Sequence, residues 1–116
     1  MPDHRVGPIE AIPPGTHRLM TIEGRELGVF HVSGTFVAVL SECPHQGAPV
    51  CRGTVGGTTL PSQPGEHRWG RDGCILRCPW HGWEYDLLTG RNLVDPRVRL
   101  RTLPVVVCDG AIFVQM

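Results

Sequence analysis

Cys43-Pro44-His45-Gln46-Gly47 and Cys78-Pro79-Trp80-His81-Gly82 are the stretches from which the rest of the chain is read. Each offers one thiol and one imidazole, as Cys-x-His in the first and Cys-x-x-His in the second. In both, proline follows the cysteine, and glycine follows the histidine directly or one residue later. Proline fixes φ and removes an N–H, while glycine permits positive φ and close backbone approach. Such loops are stiff at one end and tightly turned at the other.

Extended to Cys43-Pro44-His45-Gln46-Gly47-Ala48-Pro49 and Cys78-Pro79-Trp80-His81-Gly82-Trp83-Glu84-Tyr85-Asp86, the pair resembles the two cluster loops of a Rieske protein. The variety is that of bacterial ferredoxins and ring-hydroxylating oxygenases, in which two His replace two Cys on one iron of a [2Fe–2S] centre. The resemblance implies one cluster, with Cys43 and Cys78 on one iron and His45 and His81 on the other. The same residue types also make a structural Cys₂His₂ zinc site. Zinc ligand pairs are commonly separated by roughly two to four residues, which the single-residue gap of Cys43-x-His45 fits poorly.

The resemblance covers nearly the whole chain after about residue 16 and implies an all-β fold. That fold is an antiparallel β-sandwich carrying a small cluster-binding subdomain of two ligand loops, at about 41–86. A length of 116 residues suits one domain, 1–116, and leaves no room for a second. A complete Rieske oxygenase also needs a mononuclear iron site of two His and a carboxylate. The remaining histidines, His4, His17, His31 and His67, form no such pattern.

Formal charge is zero, from eleven Arg, no Lys and eleven acidic residues. Nothing in that balance points to nucleic acid or to a membrane surface. Arg97, Arg99 and Arg101 alternate with Val98 and Leu100, as the solvated face of a strand or as a partner-docking patch. No apolar run reaches about 18 residues, and the N-terminus lacks a signal-peptide layout. The expected setting is the cytoplasm, where Cys51, Cys74 and Cys108 stay reduced. Cys51 and Cys74 flank the two ligand loops and are candidates to approach each other. Cys108 lies in an apolar run and is expected in the core.

Short β segments with turn signals fill the first third. Leu19–Ile22 and Glu26–His31 flank Glu23-Gly24-Arg25, and Val29–Val32 and Thr35–Leu40 flank Ser33-Gly34. Their β-branched, period-two character predicts half-buried strands. Asp109-Gly110 predicts a tight hairpin between Leu103–Cys108 and Ala111–Gln115. Residues 1–14, rich in proline, read as an irregular lead-in. Glycine and proline density makes 53–73 read as loop, a connection roughly twice as long as the family's usual one. It is either a partner element, contacting through Trp69 or Arg71, or a packing flap.

By resemblance, Tyr85 donates its hydroxyl to a ligand-cysteine sulfur. Ala48, Trp80 and Trp83 stand where high-potential relatives carry two disulfide cysteines and a cluster-bonding Ser. Donors aimed at the cluster favour its reduced form, so keeping one and lacking the other implies a low potential, about −150 mV. Trp80 and Trp83 read as an apolar cap over the cluster or as packing beneath it. The function implied is one-electron transfer from a flavoprotein reductase to a terminal oxygenase, this chain itself transforming no substrate. The competing readings are an accessory subunit of another redox enzyme, such as an assimilatory nitrite reductase, and a redox-sensing module.

Overall fold

A computed structural model describes residues 3–44, 49–60, 68–79, 82–95 and 97–116, with backbone alone for 57–60 and 68–73. The strands in chain order are β1 (Asp3–Pro8), β2 (His17–Ile22), β3 (Arg25–Val32), β4 (Thr35–Leu40), β5 (Thr54–Leu60), β6 (Arg68–Arg77), β7 (Glu84–Asp86), β8 (Thr102–Leu103), β9 (Val105–Cys108) and β10 (Ala111–Gln115). Short 3-10 turns lie at Ile9–Ala11 and Val50–Arg52. All strand pairs are antiparallel, in three sheets ordered β1-β10-β9, β2-β3-β4-β8 and β5-β6-β7. Among the described residues no helix is long and apolar enough to cross a membrane.

The β2-β3-β4-β8 sheet is the middle layer. Successive side chains of a strand point to opposite faces. On β3 and β4, Leu27, Val29, Ala38 and Leu40 join Val6, Ile12, Ile22, Ile112 and Val114 in an aliphatic core against the β1-β10-β9 sheet. The intervening Phe30, Val32 and Val39 join Cys43, Val50, Cys51, Leu76, Cys78, Tyr85, Leu87 and Leu100 in a second core against the β5-β6-β7 sheet. The expected half-buried strand is therefore buried on both faces over most of β3.

Several expectations are corrected. Asp3–Pro8 is not an irregular lead-in: it pairs with β10 from Asp3↔Gln115 to Pro8↔Ala111. Its proline stands at the strand's last position, where a missing N–H is tolerated. Much of 53–73 is not loop but the facing strands β5 and β6, paired from Thr54↔Arg77 to Leu60↔Arg68 with a register shift between Gly56 and Thr58. The irregularity there takes up extra residues of β6 between Gly70 and Ile75 and leaves the glycine-rich β5 in the ladder. Residues 61–67 lie outside the described residues, as do the side chains of Trp69 and Arg71, so their expected contacts do too.

Leu103–Cys108 is not one strand. Pro104 divides it, β8 pairing with β4 in the middle sheet and β9 with β10 in the other. Cys108 is exposed, not in the core, because β9 is an edge strand. After the second loop the chain is strand only over Glu84–Asp86. Arg97, Arg99 and Arg101 are exposed and alternate with half-buried Val98 and buried Leu100, but the segment forms only an isolated bridge, Arg91↔Arg99.

Candidate metal centre

Each cysteine of the two motifs follows a strand that fixes it. Cys43 comes three residues after the end of β4, and Cys78 directly after β6. Both are 2% exposed and lie in the same core cluster. His45, Trp80 and His81 lie outside the described residues.

Polar contacts close the base of the first loop. The Ser41 N–H donates to the Glu26 carbonyl at 3.0 Å, and the Ser41 hydroxyl accepts from the Cys51 N–H at 3.2 Å. Arg52 then reaches back across the surface to the Glu26 carboxylate, with Nη2 at 2.7 Å and Nε at 2.9 Å. That guanidinium holds the Glu26 carboxyl below the usual carboxylate range. On the far side of the loop, Arg25 pairs with Glu42 at 3.3 Å.

The second loop is closed as a hairpin. Arg77 and Glu84 are cross-strand partners whose side chains pair at 2.9 Å, and the Cys78 N–H donates to the Trp83 carbonyl at 2.8 Å. The two bases meet at Gly53, where a Cβ would overlap the Arg77 carbonyl oxygen. This close approach, adjacent to the Thr54↔Arg77 pair, ties the loops to one rigid ladder.

Tyr85 sits beneath them, fully buried, with its hydroxyl oxygen 3.2 Å from the Cys43 sulfur. Burial first, and then the hydrogen bond to Cys43, push the Tyr85 hydroxyl well above its ordinary pKa, so it keeps its proton. A cysteinate holding a metal carries no proton and can only accept. Tyr85 is then the donor. The sulfur it reaches is now specified as that of Cys43.

Asn92 is the residue the sequence reading missed. It is buried and bridges Tyr85 in the backbone. Its Oδ1 also accepts from the N–H groups of Val94 at 2.8 Å and Asp95 at 3.0 Å. The available signal was local: an Asn two and three residues before backbone donors makes such an Asx turn.

Trp83 is half-buried, packs against the second core and lines a cavity of about 330 Å³ shared with Gly82, Glu84 and the Asn92–Asp95 turn. Of the two readings offered for it, packing is the one its contacts match. Cys51 and Cys74 are not joined. The Cys51 thiol donates to the Val39 carbonyl at 3.3 Å, and the Cys74 sulfur lies 3.3 Å from the Ser33 hydroxyl. Burial pushes the Cys51 thiol up to about 12.

The described half of the donor set suits an iron–sulfur group. Two thiols from separate loops are withdrawn from water into one core cluster, with a protonated hydroxyl aimed at one of them.

Comparison with known proteins bears on the same residues. The model of the Rieske [2Fe–2S] domain matches residues 3–104. The 3-phenylpropionate/cinnamic acid dioxygenase ferredoxin subunit of Photorhabdus laumondii is 30% identical over 107 residues, 91% of this chain and 87% of that protein. Cholesterol 7-desaturase of Xenopus laevis is 28% identical over 111 residues, 89% of this chain but only 21% of that protein. Among solved structures, a chain of the complex of reduced oxygenase and oxidised ferredoxin in carbazole 1,9a-dioxygenase superposes with a TM-score of 0.73. It is 27% identical, with 97% of this chain and 91% of that chain covered.

Proposed function

The chain belongs to the Rieske [2Fe–2S] domain family, and from that premise we propose that it is the ferredoxin of an oxygenase system. It takes single electrons from a flavoprotein reductase and delivers them to a terminal oxygenase acting on an aromatic or related organic substrate. A bound [2Fe–2S] cluster supplies the reversible one-electron step. Cys43 and Cys78 hold one iron, and His45 and His81 the other. Tyr85 donates to the Cys43 sulfur. Trp83 keeps the second loop apolar where a high-potential relative has a hydroxyl. The domain acts as one unit over 1–116, with the cluster-binding part at about 41–86.

The observation that carries the reading is the match, at 30% identity, through 87% of a ferredoxin subunit. That supports a carrier. Unpaired Cys51, Cys74 and Cys108 suit work in the reducing cytoplasm.

The test is the EPR spectrum of the dithionite-reduced protein with a redox titration of the same sample. A Rieske signal with a midpoint near −150 mV, the low end of the range of about −150 to +300 mV, is expected. A high midpoint would overturn the electron source, and colourless zinc protein the cluster itself.

A further inference from the structure

Arg99 and Arg101 have so far had no role. With Glu42, Cys43 and Pro44 they line a polar cleft of about 490 Å³ that opens beside the first metal-site cysteine. Both are exposed, and among the described residues neither has an acidic partner. Arg25, Arg52, Arg77 and Arg97 each pair with a carboxylate, whereas Arg5, Arg18 and Arg91, which do not line the cleft, also show no such pair among the described residues. Glu42, the cleft's one acidic side chain, is already engaged by Arg25 at 3.3 Å. The cleft therefore has a local excess of positive charge in a chain of zero formal net charge.

Its arginines are also held in place. Leu100, between them, is buried in the metal-site core, and its N–H donates to the Gly90 carbonyl at 2.7 Å. The Arg101 carbonyl accepts from the Leu40 N–H at 2.8 Å, at the end of the strand that leads into the first loop. The backbone that carries the two guanidiniums is thus fixed close to the first loop, while the guanidiniums themselves are free to meet a partner.

We propose that this cleft is the docking point for an acidic surface of the terminal oxygenase, carboxylates of which pair with Arg99 and Arg101 beside the first loop. The inference rests on the carrier reading above. Exposed ion pairs contribute little affinity but raise association rates and set orientation. A carrier that must dock, discharge and leave is served by that combination. With no net charge on the chain, steering has to come from such a local patch.

The test uses holoprotein with R99E/R101E, and R99Q/R101Q as a milder pair in case charge reversal disturbs folding. Reduced protein is mixed in stopped flow with anionic Fe(III)–EDTA and, separately, with cationic hexaamminecobalt(III). Each oxidant takes one electron from the reduced centre, giving the Fe(II) or Co(II) complex. At low salt, R99E/R101E should lower the rate with Fe(III)–EDTA by about tenfold and raise it with the cobalt complex, both effects fading in high salt. The Gln pair should move both rates the same ways by less. A changed potential would move both rates in one direction, and that outcome, or no change, overturns the proposal.

Binding of a hexaglutamate peptide, followed by NMR without any turnover, should weaken by a similar factor in the Glu variant. Retained binding overturns the proposal, as does equal wild-type affinity for a six-residue oligothymidylate, which would mark an indiscriminate polyanion patch. Loss of the Rieske spectrum in wild-type protein would sink the carrier reading instead, leaving the peptide result to judge the cleft.

Discussion

The two cores that share β3 and β4 are built from different chemistry. The one facing β1 and β10 is aliphatic: its buried members are Val6, Ile12, Ile22, Leu27, Val29, Ala38, Leu40, Ile112 and Val114. The one facing β6 and β7 contains three cysteines and a tyrosine among its buried members, and its loops leave and re-enter it at Cys43, Val50 and Cys78. Burial of apolar surface alone can close the first. The second buries thiols and a hydroxyl whose partners are few, so its stability depends on what the thiols hold. A single pair of strands thus joins an aliphatic half to a half that the proposed cluster would complete.

The strongest attack on that contrast is to remove a proposed ligand. Cys78→Ala should abolish the Rieske EPR signal and, with it, hydrogen-exchange protection around Leu76, Tyr85 and Leu87. Amides of β2, β3 and β10 should keep theirs, because the aliphatic core and the β2-β3-β4 ladder do not involve the metal. Simultaneous loss in both halves would show that the two cores form one cooperative unit, and the contrast would fail.

Gly53→Ala probes the same boundary without touching a thiol. The added Cβ collides with the Arg77 carbonyl, which is backbone within the β5-β6 ladder and cannot swing aside. The expected cost is about 2 kcal/mol, at the middle of the usual range for overpacking. It should appear in urea unfolding of the holoprotein and as faster cluster loss. A variant as stable as the parent would mean that the two loop bases move independently.

What could be read from the chain divides along the same lines. The hairpins of the middle sheet were legible because their turns are local. Glu23-Gly24 and Ser33-Gly34 take positive φ at both residues (51° and 77°, 49° and 78°), as a type I′ hairpin turn requires, and Asp109-Gly110 does the same. The two cysteine loops stood out because their spacing is itself a chemical signal, and both cysteines are buried in one core. The pairing of β1 with β10 was not, since it joins opposite ends of the chain and leaves no local trace. The β5-β6 pairing was hidden by glycines and prolines that favour loop when read singly. Cys108 was misjudged for a related reason: an apolar neighbourhood in sequence does not tell an edge strand from a central one. Which sulfur Tyr85 reaches is a long-range fact that only the assembled sheet supplies.

Within the metal half, Tyr85→Phe separates electronic tuning from packing. It removes the hydroxyl 3.2 Å from Cys43 and leaves the buried ring. The reduced cluster carries one more negative charge, so losing a donor should lower the midpoint. A differential of about 1 kcal/mol corresponds to about 40 mV for one electron. Spectroelectrochemical titration of variant and parent would show it. An unchanged midpoint would mean that the hydroxyl positions the loop without tuning it.

The smallest effect tests the surface tie between the halves, where Glu26 of β3 meets Arg52 beside buried Cys51. Arg52 depresses the Glu26 pKa in the folded protein. The stabilisation is therefore present above the unfolded value, about 4.3, and fades as pH falls through the lower folded value. Glu26→Gln should lower Tm by roughly 2 °C at pH 7, as an exposed pair allows. The gap between variant and parent should close in acid below about pH 4, and high salt should narrow it at neutral pH. If the gap instead widens in acid, the carboxylate stabilises the fold through something other than Arg52, and the tie between the halves must be sought in the buried Ser41–Cys51 contact.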